Sequence, residues 1–327
     1  MSKDTVSWSE ISTWCQCRQK WYWAYELRIV PKQVSRSLSL GSCGHAALAA
    51  HLEGKDWLIA IEEWASKQVQ ERPMYDEEME NVGQLCNTVR ALVQRYLEDN
   101  HDQWKVLEVE KQFEIGVRGL KHKLIGFWDA IVQDADGHKW ILEHKFVKQF
   151  RTEDQLLLDG QIGVYQYAAR RMGHDIIGTI YDQVLTKIPA VPAINKNNTV
   201  SRAAIATDWE TYKRAVIAAG QNPDDYLDMK EKLADNVFSK RIYIYRPRAE
   251  VDLFARDMER RIWDIKKAKK HIYHCESHIN CMNCPYRELC IEQLKGGDVG
   301  FLIEMNFEPK REREEAPENA TTEPSAN

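Results

Sequence analysis

Two strand-like runs separated by a turn constrain this chain most: Gly126-Phe127-Trp128-Asp129 and Trp140-Ile141-Leu142-Glu143-His144-Lys145. Between them lies Asp134-Ala135-Asp136-Gly137-His138, whose Asp-Gly pair is a hairpin-turn signal. Side chains alternate along a strand, so Glu143 and Lys145 project from one side. A hairpin centred on Asp136 sets Asp129 opposite Glu143 and gathers two carboxylates and an ammonium on one face. Convergent carboxylates repel each other, and a bound cation is the usual remedy. The pattern predicts a hydrolytic metal site built on a β-hairpin.

Of the 327 residues, 43% are hydrophobic and 29% charged, enough to bury a core with insertions and to exclude wholesale disorder. No run approaches the ~20 apolar residues of a membrane span, and the N-terminus has no secretory pattern, so a soluble, cytoplasmic protein is expected. The net charge is −5, which does not advertise a nucleic-acid binder. However, the tail from Glu308 holds six Glu against three Lys+Arg. The remaining body is nearly balanced, and a nucleic-acid groove requires uneven placement of its charges.

Along the chain, residues up to about 30 read as one helix with an aromatic stripe (Trp8, Trp14, Trp21, Tyr22, Trp23, Tyr25), capped by Ser7 or Ser9. Pro31 to Gly41 reads as a connector, and His45 opens a second helix. Residues 57–100 are helical by periodicity, with a break near Pro73. The pattern then turns to strands over 106–115, 123–132 and 139–147, followed by a helix over 154–172 and a strand over 175–186. A polar loop (188–202), a helix (208–219), a strand (240–248) and a long charged helix (250–272) follow. The expected organisation is one domain over 1–307. It comprises an N-terminal helical part with His45 (1–105), a sheet core (106–186), a loop and helical part (187–272) and a Cys-rich segment (273–307). The tail, 308–327, is expected to be disordered.

Eight cysteines without a secretory signal favour metal ligation over disulfides. Cys281-x2-Cys284-x5-Cys290 has compact ligand spacing and leaves a tetrahedral site one ligand short. Cys15, Cys17, Cys275 and nearby histidines are candidates for the fourth, whereas Cys43 and Cys86 read as packing residues.

Trp14-x-x-Cys17-Arg18-x-Lys20-Trp21-Tyr22 resembles the N-terminal cysteine motif of RecB-like nucleases that carry a [4Fe-4S] cluster, although relatives commonly place Pro where Arg18 stands. Gly41-x-x-x-His45, Gly126-Phe127-Trp128-Asp129, Glu143-x-Lys145 and Gln161-x-x-x-Tyr165 occur in the order of the PD-(D/E)XK superfamily. The resemblance spans roughly residues 7–290. It departs at His144, where many members are apolar, and at Phe146, where relatives often carry Thr. It implies an α/β fold of mixed α+β type, with a restriction-endonuclease-like core: a central mixed β-sheet flanked by helices, with a helical insertion and a C-terminal iron–sulfur segment.

The resemblance also implies chemistry. Asp129 and Glu143 offer hard oxygens to Mg²⁺ or Mn²⁺, His45 adds an imidazole, and the His144 backbone carbonyl completes the shell. Lys145 orients water and stabilises developing charge, while Gln161 and Tyr165 orient groups beside it. Glu110, on the preceding strand, reads as a residue of a solvated strand face, with a carboxylate supporting the metal ligands as the alternative. Cys17, Cys281, Cys284 and Cys290 are the implied cluster ligands, with zinc as the alternative occupant. Lys187, Lys196, Arg202, Lys240, Arg241, Arg246 and Arg248, near Tyr243 and Tyr245, are candidate DNA contacts, and Lys266, Lys267, Lys269 and Lys270 read as a solvated helix face. The expected function is a metal-dependent DNA exonuclease of recombination, repair or replication in a bacterial or phage-infected cell, acting beside a single-strand annealing protein. The competing readings are a non-catalytic DNA-binding subunit of the same fold and a zinc-stabilised binding module. The patterns leave oligomeric state and polarity open.

Overall fold

The computed structural model describes residues 4–32, 36–71, 75–100, 104–203, 205–267, 271–275 and 277–310. The chain forms two units, Val34–Arg260 and a unit built from the two ends, Met1–Gln33 with Arg261–Asn327. The first end carries β1 (Thr5–Ser7), α1 (Trp8–Gln16), α2 (Arg18–Trp21), a π-helical turn (Tyr22–Glu26) and β2 (Ile29–Pro31). The expected single helix is therefore broken. Ser7 Oγ accepts the Glu10 N–H to start α1, and Cys17 takes an extended conformation (φ −162°, ψ 119°) that ends α1 and caps α2.

The larger unit opens with three helices, α3 (Arg36–Leu52), α4 (Trp57–Glu71) and α5 (Asp76–Asp99). Helix α3 begins inside the stretch expected as a connector, so His45 lies well within it and not at its start. The expected break near Pro73 lies outside the described residues. Three strands follow, β3 (Lys105–Gly116), β4 (Lys123–Gln133) and β5 (Lys139–Val147), then α6 (Glu153–Leu157), α7 (Gly160–Arg171) and β6 (Ile176–Leu185). Instead of one helix over 154–172, the structure has two. Asp159 separates them and caps α7 by accepting the Gln161 N–H at 2.7 Å. After a polar loop come α8 (Trp209–Ala218), a 3₁₀ turn (Pro223–Tyr226), α9 (Leu227–Lys232), β7 (Ser239–Tyr245) and α10 (Arg248–Lys267).

The sheet of this unit is mixed, in the order β3-β4-β5-β6-β7. Its β3–β4, β4–β5 and β6–β7 pairs are antiparallel, and β5–β6 is parallel. The parallel pair requires a crossover, which α6 and α7 supply. The β4–β5 hairpin has the register read from the sequence: Gln133↔Lys139, Val132↔Trp140, Ile131↔Ile141 and Ala130↔Leu142, all centred on Asp136. Asp134 builds the turn by accepting the Asp136 and His138 N–H groups.

Helices flank this sheet. Leu40, Ala47 and Leu48 of α3, Ile61 of α4 and Leu85, Val89 and Leu92 of α5 bury one core together with Val184 of β6. Another core joins Leu156 and Ile162 of the crossover to Tyr181, Ile242 and Ile244 of β6 and β7. Alternation along β6 thus sends Tyr181 toward the crossover and Val184 toward α3–α5. The fold is mixed α/β, a central mixed sheet between helices, as in restriction-endonuclease-like proteins.

The remaining elements belong to the terminal unit: α11 (His278–Met282), α12 (Arg287–Leu294), α13 (Val299–Asn306) and β8 (Phe307–Pro309). Strand β8 pairs antiparallel with β2 from Ile29↔Pro309 to Pro31↔Phe307. Glu308 and Pro309, read as the start of a disordered tail, are therefore held in a ladder, while 311–327 lie outside the described residues. Trp23, Ile29, Tyr286, Leu289 and Phe307 form this unit's core, and the Tyr286 hydroxyl donates to the Ile29 carbonyl at 2.8 Å.

The β6–β7 ladder runs so close to Gly178 that a Cβ there would lie 2.6 Å from the Ile244 carbonyl oxygen and 3.0 Å from the Trp140 ring. Backbone does not yield as a flexible side chain does. Gly178→Ala should lower stability by about 1–3 kcal/mol in urea unfolding, and an unchanged midpoint would contradict this reading of the ladder.

Candidate active site

The site lies where the β4–β5 ladder stops. Its last bonded pair is Ala130↔Leu142, and Asp129 and Glu143 stand one step beyond. There the Asp129 Oδ2 accepts the His144 N–H at 2.7 Å, so a side chain takes over from the missing ladder acceptor. The Asp129 Oδ1 lies 3.3 Å from His45 Nδ1, which joins the hairpin to α3. Lys145 Nζ donates to Glu143 Oε1, and Gln161 Nε2, from the first turn of α7, donates to the same oxygen at 3.3 Å. Tyr165, one turn further along α7, stands edge-on to Phe113 at 5.3 Å.

Aromatic packing explains the glycine and tryptophan of the strand motif. Phe113 pairs across the ladder with Gly126 and covers it so closely that a Cβ would lie 2.4 Å from the ring. Phe113 then stacks on Trp128 at 5.1 Å, and the Trp128 indole donates to Glu108 at 3.1 Å. Phe146 fills the space beside Gly44 and stands edge-on to the His45 ring at 6.1 Å. The bulk at Phe146 thus packs α3 against the site.

Electrostatically the group is a compact set of opposed charges. Burial pushes the Glu143 carboxyl up and Asp129 adds to this, outweighing Lys145, so it rises to about 7. Burial also works against ionised Asp129, but His45, Lys145 and His144 hold it well below the usual carboxylate range. Burial opposes the charge on Lys145 as well, yet Glu143 and Asp129 keep its ammonium protonated. His45 is raised because Asp129 overrides its desolvation. Burial, then Glu143, pushes the Tyr165 hydroxyl up, so it stays a proton donor.

The residues fit a divalent cation. Glu143 is 4% exposed, and its Oε2 has no hydrogen-bond partner among the described residues. A bare buried carboxylate oxygen is costly, and a cation satisfies it. His45, Asp129 and Glu110 each offer a ligand atom, all within 4.8 Å of one another. Hard oxygens with one imidazole suit Mg²⁺ or Mn²⁺. Glu110 is exposed, as a solvated strand residue is, yet its carboxylate lies beside His45 and Asp129. Its backbone is left-handed (φ 44°) inside β3, which a non-glycine residue rarely adopts. Sequence carried no signal of that conformation. A second such group, Asp134, Asp136 and His138, belongs to the hairpin turn.

In the terminal unit, Cys17, Cys281, Cys284 and Cys290 are free thiols, each partly buried. After burial, the thiols of Cys17 and Cys281 help to raise Cys284, and those of Cys284, Cys17 and Cys281 help to raise Cys290 to about 11. The charges acting on Cys15 are instead Arg261, Asp264 and Arg18. These thiols are near enough to act on one another's charge, but no three of them bring their sulfurs within 4.8 Å of one another. Arg18, at the position where relatives carry Pro, lies between the rings of Trp14 (4.6 Å) and Tyr273 (4.7 Å).

Several proposed nucleic-acid contacts are otherwise engaged. Arg241 forms a bidentate pair with Asp182, and Arg202 pairs with Asp228. Arg246 is buried, and its guanidinium donates to the carbonyls of Leu156, Leu157 and Asp159. Tyr243 and Tyr245 stay partly exposed, edge-on to Trp140. Lys269 and Lys270 lie outside the described residues.

The raised Glu143 sets a pH dependence. Below about 7 a proton competes with the cation for its carboxylate. Without metal, the folded state holds this proton more tightly than the unfolded chain. Its contribution to stability is therefore lost as pH rises from the ordinary carboxylate range through about 7. Bound metal replaces the proton above that range. The rise in Tm caused by Mn²⁺ should be larger at pH 8 than at pH 6 by differential scanning fluorimetry. A rise independent of pH would contradict it.

A family model for the PD-(D/E)XK nuclease superfamily matches residues 5–291, a span that includes all these side chains. No curated protein matches the chain. Among solved structures it is similar to a candidate exonuclease of Eubacterium rectale, at 11% identity and a TM-score of 0.47, over 86% of this chain and 88% of the other. It is also similar to the protein SSO0001, at 12% identity and a TM-score of 0.39, over 89% of this chain and 87% of the other. No helix of the described residues is long and apolar enough to cross a membrane. With the family match covering most of its length, the chain belongs to the PD-(D/E)XK nuclease superfamily, hydrolases of nucleic acids that use divalent metals.

Proposed function

We propose that this nuclease is a Mg²⁺- or Mn²⁺-dependent DNA exonuclease whose terminal unit holds a [4Fe-4S] cluster on Cys17, Cys281, Cys284 and Cys290. The observation that carries the nuclease reading is the unpartnered, buried Glu143 Oε2 beside Asp129, His45 and Lys145. His45, Asp129, Glu143 and the His144 carbonyl would hold the divalent ion, with Glu110 at the exposed side. The ion supplies Lewis-acid stabilisation of charge on the phosphate.

The chain's own groups do the rest. Lys145, kept protonated by the carboxylates around it, orients the attacking water and stabilises negative charge as it develops. Gln161 fixes the Glu143 carboxylate through its amide. Tyr165 offers a protonated hydroxyl to water or phosphate. Sheet residues 106–186 form the catalytic core of this reading, and 187–272 the part that holds DNA. The size and helical insertion resemble those of phage-type recombination exonucleases, which supports the exonuclease branch in recombination or repair. The habit of that branch supports a single-strand annealing protein as partner in the cytoplasm.

The full chain, purified anaerobically, should degrade end-labelled linear DNA with Mg²⁺ or Mn²⁺ and spare closed circles. Lys145→Ala should lower kcat by about 10²–10³-fold, as loss of one charge-stabilising donor does. Inactive wild type, or an equally active variant, would sink the mechanism, and cutting of closed circles would sink the exonuclease assignment.

Metal analysis should find about four irons per chain, with an iron–sulfur absorbance that Cys17→Ser abolishes. Zinc without iron would overturn the cluster. Wild-type iron content in Cys17→Ser would remove Cys17 from it.

A further inference from the structure

His144 sits between Glu143 and Lys145, yet its side chain belongs to a separate polar row inside the sheet. Across the ladders His144 pairs with Asp182, and Asp182 with Arg241, so three polar residues occupy consecutive strands β5, β6 and β7. His144 is 2% and Asp182 1% exposed. A sheet covered on both faces is normally apolar at such positions, and burying these groups is costly unless each is paired.

The pairing is complete and has a direction. Tyr96 of α5 closes the row: its hydroxyl donates to Asp182 Oδ2 at 2.5 Å and meets His144 Nε2 at 3.2 Å. Arg241 grips both Asp182 oxygens at 2.7 and 2.6 Å, and its guanidinium lies 4.5 Å over the Trp104 ring. A hydroxyl has one proton. Tyr96 gives it to Asp182, so the His144 proton must sit on Nε2 and be donated to the Tyr96 oxygen. The His144 Nδ1 then faces Asp129 Oδ2 at 3.9 Å, too far for a hydrogen bond. The ring is anchored to Tyr96, and only the backbone N–H of His144 reaches Asp129.

We propose that His144, Tyr96, Asp182 and Arg241 form a positioning network for the metal site, which rests on the nuclease reading above. Strand neighbours point to opposite faces. Pinning His144 on the α5 side therefore fixes Glu143 and Lys145 on the other, and holds the N–H that orients Asp129. Tyr96, Asp182 and Arg241 are not among the groups that would hold the cation. They act through the His144 peptide, as hydrogen-bond partners behind metal ligands generally do.

The test is Mn²⁺ binding to the full chain, followed by electron paramagnetic resonance, alongside thermal unfolding. Tyr96→Phe keeps the ring that packs edge-on against His144 at 5.5 Å and removes only the hydroxyl. It should weaken Mn²⁺ binding by about 10- to 100-fold and lower kcat with KM for DNA unchanged. Leu92→Ala, a buried apolar position on the same helix, should lower Tm while leaving Mn²⁺ affinity at the wild-type value. Should Tyr96→Phe not fold, Arg241→Lys, which loses the two-pronged grip, carries the same comparison. Wild-type Mn²⁺ affinity in a folded network variant, or an equal loss in Leu92→Ala, overturns the network alone. Absence of Mn²⁺ binding by wild type overturns the metal reading and the network with it.

Discussion

The interaction on which the site depends is the hydrogen bond from the His144 N–H to the Asp129 carboxylate at the end of the β4–β5 ladder. A continuing ladder would use that N–H for backbone pairing and leave the Asp129 side chain to its own rotamers. Because the ladder stops at Ala130↔Leu142, one carboxylate oxygen is spent on the strand and the other is directed at His45. One side chain thus ties the hairpin to α3 and fixes the distance between the carboxylate pair and the imidazole. Phe113 over Gly126 and Phe146 over Gly44 hold the two backbones in place by filling the space a Cβ would need.

This arrangement sets local stability against chemistry. Two buried carboxylates repel, and burial pushes Glu143 toward its neutral form. Lys145 and Gln161 share one oxygen of Glu143 and leave the other bare. The donors left over fit a cation. The row from His144 to Arg241 supplies the opposite quality: every charge in it has a partner.

The terminal unit follows a similar logic with aromatic packing. Cys17 is held at the break between α1 and α2, where its Sγ accepts the Lys20 N–H at 3.4 Å. Arg18 is fixed by two rings and by the His271 carbonyl at 3.4 Å. The cysteine is therefore presented by capping and packing, and a proline after it is not required to end the preceding helix.

Much of this was legible in the residues. Alternation and one Asp-Gly turn placed the hairpin and its register, because a two-residue period and a local turn are short-range properties. The order of the motifs likewise named His45, Asp129, Glu143, Lys145 and Gln161, which the fold brings into contact. Other features needed the folded chain. The start of α3 at Arg36 was one of them, whereas the break before α7 is a local Asp159 cap that the helical periodicity of 154–172 hid. Arg241 and Arg246 looked like exposed phosphate contacts, because a sequence of basic residues does not show which find carboxylates or carbonyls inside. Glu110 gave no sign of its left-handed backbone, and nothing in the sequence singled out Tyr96 or Asp182. The local pattern of charges and turns placed Asp129, Glu143 and Lys145 at the end of one hairpin. Only long-range packing decided which oxygen each group leaves unpaired and what stands behind it, because those depend on partners from four different elements meeting in one place.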